Sequence, residues 1–145
     1  MKTNIIILFI ILVSFSKLCA QQNYKDYKIN CIQDKSNKEY TVYNKKSEAL
    51  FKRIYSKDPE NGKPLHRTSY TWNGKEWQNH STHKYVYNKD KRLEYIILRK
   101  WNKRKNEWEK ESNMSIYIYD ANNKLLSIEQ TKIQEDTYHL LTQNL

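Results

Sequence analysis

Histidine, cysteine, tryptophan and clustered charge are the residue types in this 145-residue chain that could do chemistry. His80 and His83 have the HxxH spacing. On a helix that spacing would give one metal-binding face, but on a strand residues three apart point to opposite sides. No compact acidic set accompanies them, so neither a metal nor any other cofactor is expected. Cys31 reads as a small buried hydrophobe in a strand rather than as a nucleophile. Gly62 and Gly74 are the only glycines, both in turn contexts, so no glycine-rich loop cradles a phosphate. Ser, His and Asp all occur without a motif that gathers them. The chain is therefore read as non-enzymatic.

The tryptophans invite a different chemistry. They fall in "YTWNGKEWQN", residues 70–79, and "KWNKRKNEWEK", residues 100–110. Trp72, Trp77, Trp101 and Trp108 are the candidate ligand-binding residues, their indole rings stacking on a sugar or a peptide. The competing role is cross-strand packing, in which an aromatic rung stabilises a hairpin by roughly 0.2–1 kcal/mol. Recurrence of the pairs at hairpin-flanking positions favours architecture and sets Trp72 and Trp77 on the core side. Arg99, Lys100, Lys103, Arg104 and Lys105 surround Trp101. That mixture resembles the charged groove with stacking platforms used for single-stranded nucleic acid. Nucleic acid is disfavoured by an export signal and by the loop position of most of these charges. An anionic polysaccharide or a membrane surface would be attracted by the same charges and fits the compartment better.

The elements that position these residues begin after a leader. Lys2 precedes an apolar run from Ile5 to Phe15, and "SKLCA" ends in small residues before Gln21. This is a secretory signal layout, and the run is too short to span a bilayer of about 30 Å as a helix. Cleavage is expected after Ala20, leaving residues 21–145 as one domain with no further membrane span. Lys2 and Lys17 leave with the leader, so 26 basic residues become 24 against 16 acidic ones, a surplus of eight. Cys19 leaves too, so the mature chain has no second cysteine for an intrachain disulfide. Twelve tyrosines, four tryptophans and two glycines in the whole chain describe a dense set of strands rather than a disordered basic tail.

The second half repeats itself. "YVYNKDKRL", residues 85–93, matches "YIYDANNKL", residues 117–125, at an offset of 32. "TVYNKKSEAL", residues 41–50, looks like an earlier copy with one extra residue, and "WNGKEW" is echoed by "WNKRKNEW". A recurring pair of hairpins explains the self-similarity, with repeats at about 66–101 and 101–133. Asn73-Gly74 signals a two-residue type I′ turn that would pair Tyr70 with Trp77. A four-residue loop at Lys103 to Asn106 would set Trp101 near Trp108. Strands are expected near 27–33, 39–44, 49–56, 66–72, 76–88, 93–102, 107–119 and 124–134. No stretch of the mature chain has a convincing helical period. The fold class is all-β, an antiparallel meander of repeated long hairpins. Large residues on both faces would make it curl into a partial barrel, form a sandwich or find a partner.

With the leader ending in "AQQ", the units "YTWNGKEWQN…YVYNKDKRL" and "KWNKRKNEWEK…YIYDANNKL" resemble a family of small secreted proteins of unknown function. That family is found in Bacteroides and related bacteria and is built from Trp/Tyr hairpin units. The resemblance covers Tyr70 to Ile133 well and the N-terminal part loosely. It implies a β-rich fold and a secreted or envelope location, and it carries no catalytic or binding residues. The expected function is that of a secreted or periplasmic protein binding an envelope or host ligand, glycan or protein. The alternative is an assembly component that pairs with another chain through an exposed sheet face or edge.

Overall fold

Alternation of bulky and polar side chains drives most of the chain into strands, because strand side chains point to opposite faces in turn. The computed structural model describes residues 17–24 and 26–143. Nine strands run in chain order: β1 Lys17–Tyr24, β2 Tyr27–Gln33, β3 Asn37–Asn44, β4 Ala49–Lys57, β5 Pro64–Trp72, β6 Trp77–Tyr87, β7 Leu93–Asn102, β8 Glu107–Tyr119 and β9 Leu125–Ile133. They form one antiparallel sheet in the order β1 to β9, so β1 and β9 are its two edges and the sheet stays open. The all-β meander expected from the sequence is what the chain forms, with the strands from β2 onward close to the expected bounds.

The leader expected over residues 1–20 lies mostly outside the described residues. Its last four residues open β1, where Cys19 stands opposite Cys31 and the register shifts between Cys19 and Gln22. The expected cleavage after Ala20 falls at that irregularity.

An eight-residue helix, α1 (Glu135–Thr142), corrects the expectation of strands alone. It docks Tyr138 against Ile97, Met114 and Ile133, with Leu141 packed alongside. Those residues form the buried core on one face of β6 to β9. Arg99 fastens the helix start: its Nε donates to the Glu109 carbonyl at 2.9 Å, Nη2 pairs with Glu135, and its Cζ lies 4.9 Å from the centre of the Tyr138 ring. The Arg99 pair holds the Glu135 carboxyl below its ordinary range. Only Tyr138 and Thr142 are buried while Leu140 is 69% exposed, so the helical stripe is too short to show as a period.

Asn and Asp set the tips. In the seven hairpin loops from β2 to β9, the side chain of Asp34, Asn44, Asp58, Asn73, Asn88, Asn102 or Asp120 accepts two backbone N–H groups from two to four residues on. Such Asx contacts stand in for ladder hydrogen bonds where the chain reverses. The repeat is closed by a second device. The Tyr87 hydroxyl donates to the Pro64 carbonyl at 2.8 Å, and the Tyr119 hydroxyl donates to the Leu93 carbonyl at 2.9 Å. Lys63 lies over the Tyr87 ring and Arg92 over the Tyr119 ring, at 5.2 and 5.5 Å.

The register corrects the reading of residues 41–50 as an earlier copy with one extra residue. Tyr43 pairs with Ala49, Tyr87 with Leu93 and Tyr119 with Leu125, so the loop after Tyr43 has no extra residue. In a meander, however, that loop lies at the opposite end of the sheet from the other two. The in-phase earlier copy is the β4–β5 hairpin, where Lys57 pairs with Pro64. Its loop is one residue longer, and Gly62 with φ +71° takes the left-handed position filled by Lys91 and Asn123.

Candidate functional site

Register decides which side chains share a face. Tyr40 pairs with Arg53, Val42 with Phe51, Tyr55 with Arg67, Arg67 with His83 and His83 with Leu98. All of these lie on the face opposite α1, which no element of the described chain covers. Two open depressions adjoin there. The first, of about 550 Å³, is lined by rings (Tyr40, Phe51, Tyr55, Tyr85) together with Lys38, Arg53 and Lys57. The second, of about 720 Å³, is cationic: Arg53, Arg67, Lys100 and Lys103 line it with His80, His83 and hydroxyls of Ser69 and Ser81, against the single carboxylate of Glu109. Phe51 and Arg53 belong to both.

The rings hold one another and the cations. Tyr40 and Tyr55 meet edge to face with centroids 5.8 Å apart. Arg53 Cζ lies 5.2 Å from the Phe51 centroid and Arg67 Cζ 6.0 Å from that of Tyr55, within cation–π range. Arg67 Nη2 stands 2.7 Å from His83 Nε2 and 3.1 Å from Nδ1. A guanidinium has only donors, so the imidazole accepts with its unprotonated nitrogen and is neutral. Burial, then the charges of Arg67 and Arg53, push its pKa down to about 4. Burial likewise pushes up the Tyr85 phenol.

The sequence-derived site residues do not converge on this groove. Trp72 and Trp77 form one rung, ring centroids 5.2 Å apart and 61° between planes. Asn73–Glu76 is a four-residue loop rather than a two-residue turn, so Tyr70 stands opposite Asn79 and not Trp77. The Asn73 carbonyl oxygen of the side chain takes the Lys75 and Glu76 N–H groups at 2.9 Å each, and this wider loop wins over the tight one. Tyr70, Trp72 and Trp77 still share a face, with Lys52 Nζ 5.3 and 5.0 Å from the Tyr70 and Trp77 rings. They are half-buried and outside the core cluster. Trp101 and Trp108 also form a rung, centroids 5.1 Å apart, across the expected four-residue loop. Trp101 reaches the rim of the cationic depression, whereas Trp108 borders a small hollow beside Tyr138.

His80 and His83 depart from the simple strand rule. The register shifts between Ser69 and Tyr70, inserting His80 as an extra residue of β6, and both histidines line the same depression. Among the described residues no group of three His, Cys, Asp or Glu side chains is placed to hold a metal. Cys31 is a buried strand residue, 4% exposed. Tyr40, Phe51, Arg53, Tyr55, Arg67 and Tyr85 were missed as a group by sequence reasoning. The available signal was alternation, "FKRIY" placing Phe51, Arg53 and Tyr55 on one side.

Fold and groove together define a single-sheet hairpin-repeat protein with an aromatic and cationic depression on one bare face. Residues 39–144 match the model of the Family of unknown function (DUF3836), and the chain belongs to that family. Among solved structures it is similar to a DUF3836 family protein from Bacteroides vulgatus ATCC 8482, at 20% identity and TM-score 0.34, over 57% of this chain and 98% of that one. A second is the DUF3836 family protein from Parabacteroides distasonis ATCC 8503, at 15% identity and TM-score 0.33, over 62% of this chain and 97% of that one. No curated protein matches the chain.

Proposed function

We propose that this chain is an exported, non-enzymatic binding protein that holds a glycan across the bare face of its sheet. The observation that supports the reading is a ring-lined depression, with Tyr40, Tyr55 and Tyr85 beside Arg53 and Lys57, adjoining a second lined by cations and the serines Ser69 and Ser81. Sugar rings present apolar C–H faces that stack on aromatic side chains, and their hydroxyls suit polar neighbours. Export is supported by the leader layout. Among the described residues no helix is long and apolar enough to cross a membrane.

The test is to express the full chain in a Bacteroides host, recover it from periplasm and medium, read its N-terminus, and apply it to a glycan array. An N-terminus at Gln21 and retention of at least one glycan are expected. Tyr40→Ala and Tyr55→Ala should each weaken a retained glycan roughly tenfold, about 1.4 kcal/mol, whereas Trp72→Ala should not. A chain that keeps its leader, or that retains no glycan at all, overturns the corresponding half of the reading.

A further inference from the structure

The cationic depression has a feature that solvation alone does not explain. Arg67 projects from the middle of β5 onto the bare face, half-buried, and its Nε–H is buried with no hydrogen-bond partner. A buried donor left unmade is costly. Arg92 Nε is in the same condition although its guanidinium is ion-paired, so what singles out Arg67 is the lack of an acidic partner. No carboxylate among the described residues supplies that partner. Neither Arg67 nor Arg53 has an ion pair among the described residues, while Arg92 and Arg99 each do. Arg67 Nη2 is held against His83, which aims the guanidinium and fixes its plane. Arg53 lies diagonally across the β4–β5 ladder, since it pairs with Ser69 while Tyr55 pairs with Arg67. Its guanidinium rests on the Phe51 ring at 5.2 Å, beside the aromatic depression.

We propose that Arg67, flanked by Arg53, is the subsite for an acidic group, a carboxylate or sulfate carried by the glycan whose rings lie on Tyr40 and Tyr55. This rests on the binding reading above and narrows its ligand to acidic oligosaccharides. The guanidinium edge offers two parallel N–H donors, and a planar carboxylate or a sulfate accepts both. Those donors are on Nη1 and Nη2, because Nε is buried out of a ligand's reach. Positive charge on the open face also raises the local concentration of such a ligand, so binding should weaken with salt.

The experiment uses the purified full-length protein with a sulfated heparin tetrasaccharide, a tetragalacturonate and neutral chitotetraose, measured by calorimetry. The 15N-correlated spectrum of the arginine Nε–H groups is recorded in parallel. Wild type should bind at least one acidic oligosaccharide tighter than the neutral one, with the Arg67 Nε–H signal moving on addition. Arg67→Gln should lose about tenfold or more for the acidic ligand. Arg67→Lys should recover part of that loss, and Lys89→Gln, an exposed loop control, should change nothing. Circular dichroism and melting of each variant confirm folding. Equal losses for Arg67→Gln and Lys89→Gln mean diffuse attraction and overturn the subsite. Neutral binding that depends on Tyr40 but ignores Arg67→Gln also overturns the subsite while leaving the groove reading intact. Binding of none of the three overturns the subsite, and glycan-array silence would then remove the broader reading as well.

Discussion

His83 is a neutral histidine held among cations. Its pKa is about 4 in the fold against an ordinary 6.5, through burial first and then Arg67, Arg53 and His66. The unfolded chain therefore takes up a proton between pH 6.5 and 4 that the folded chain resists. The stabilising contribution is present above pH 6.5 and is lost as pH falls toward 4. The gap corresponds to at most about 3 kcal/mol, and partial exposure of the ring reduces it. His66, whose pKa is lowered by burial and by Lys84, acts in the same direction. Denaturant unfolding at pH 7, 5.5 and 4.5 should show wild type weakening across this window. His83→Gln should weaken by about 1–2 kcal/mol less, because its side chain carries no proton to resist. An identical pH slope in the two proteins would assign the effect elsewhere. The sequence offered His83 only as half of an HxxH pair, since neither the bulge at His80 nor the Arg67 contact is written locally.

At the scale of elements, strands were readable and their exceptions were not. Period-two alternation is carried by each segment on its own, so the hairpins from β2 to β9 could be placed from residue types. The turn at Asn73-Gly74 departs from the tight turn its residues signal because the Asn73 side chain captures two N–H groups and opens the loop to four residues. The tryptophan rungs were legible as rungs, yet the face each indole adopts depends on register shifts, such as that between Arg99 and Trp101. Helix α1 was hidden because tertiary packing, not propensity, sustains it. Its anchor is Tyr138, 6% exposed on Ile97, Met114 and Ile133. Tyr138→Ala should cost about 3 kcal/mol, in the range for removing a large buried aromatic side chain, and should undock the helix. Backbone chemical shifts of residues 135–142 and dye binding by the uncovered face would report it. Retained helical shifts in a destabilised Tyr138→Ala variant would show that the helix stands without this anchor.

At the scale of the molecule, the order of strands makes the sheet nearly one-dimensional. Extensive contacts join consecutive strands only, apart from α1 resting on β8. Stability in such an array is close to a sum over neighbours, so cooperativity between distant ends is weak. The two ends differ in what they bury. The C-terminal half has the cluster of Ile97, Met114, Ile133 and Tyr138, and Arg99 ties α1 to it. The N-terminal end has only Cys31 and Val42 as buried apolar residues among those described. Consecutive strands are hydrogen-bonded neighbours in both halves, so the difference is expected to come from burial, which sets how readily a strand pair opens. Native-state hydrogen exchange should therefore be graded, with amides of β7 and β8 exchanging slowest and those of β2 and β3 orders of magnitude faster. β9 should fall between them, because its residues from Leu125 to Lys132 are exposed while Ile133 is locked beneath α1. Uniform protection from β2 to β8 would show instead that the sheet opens as one unit, with the bare face contributing as much as the covered one. The proposed glycan site lies mainly over the looser half, so a ligand bridging Tyr40, Arg53 and Arg67 should slow exchange in β3 to β5 most.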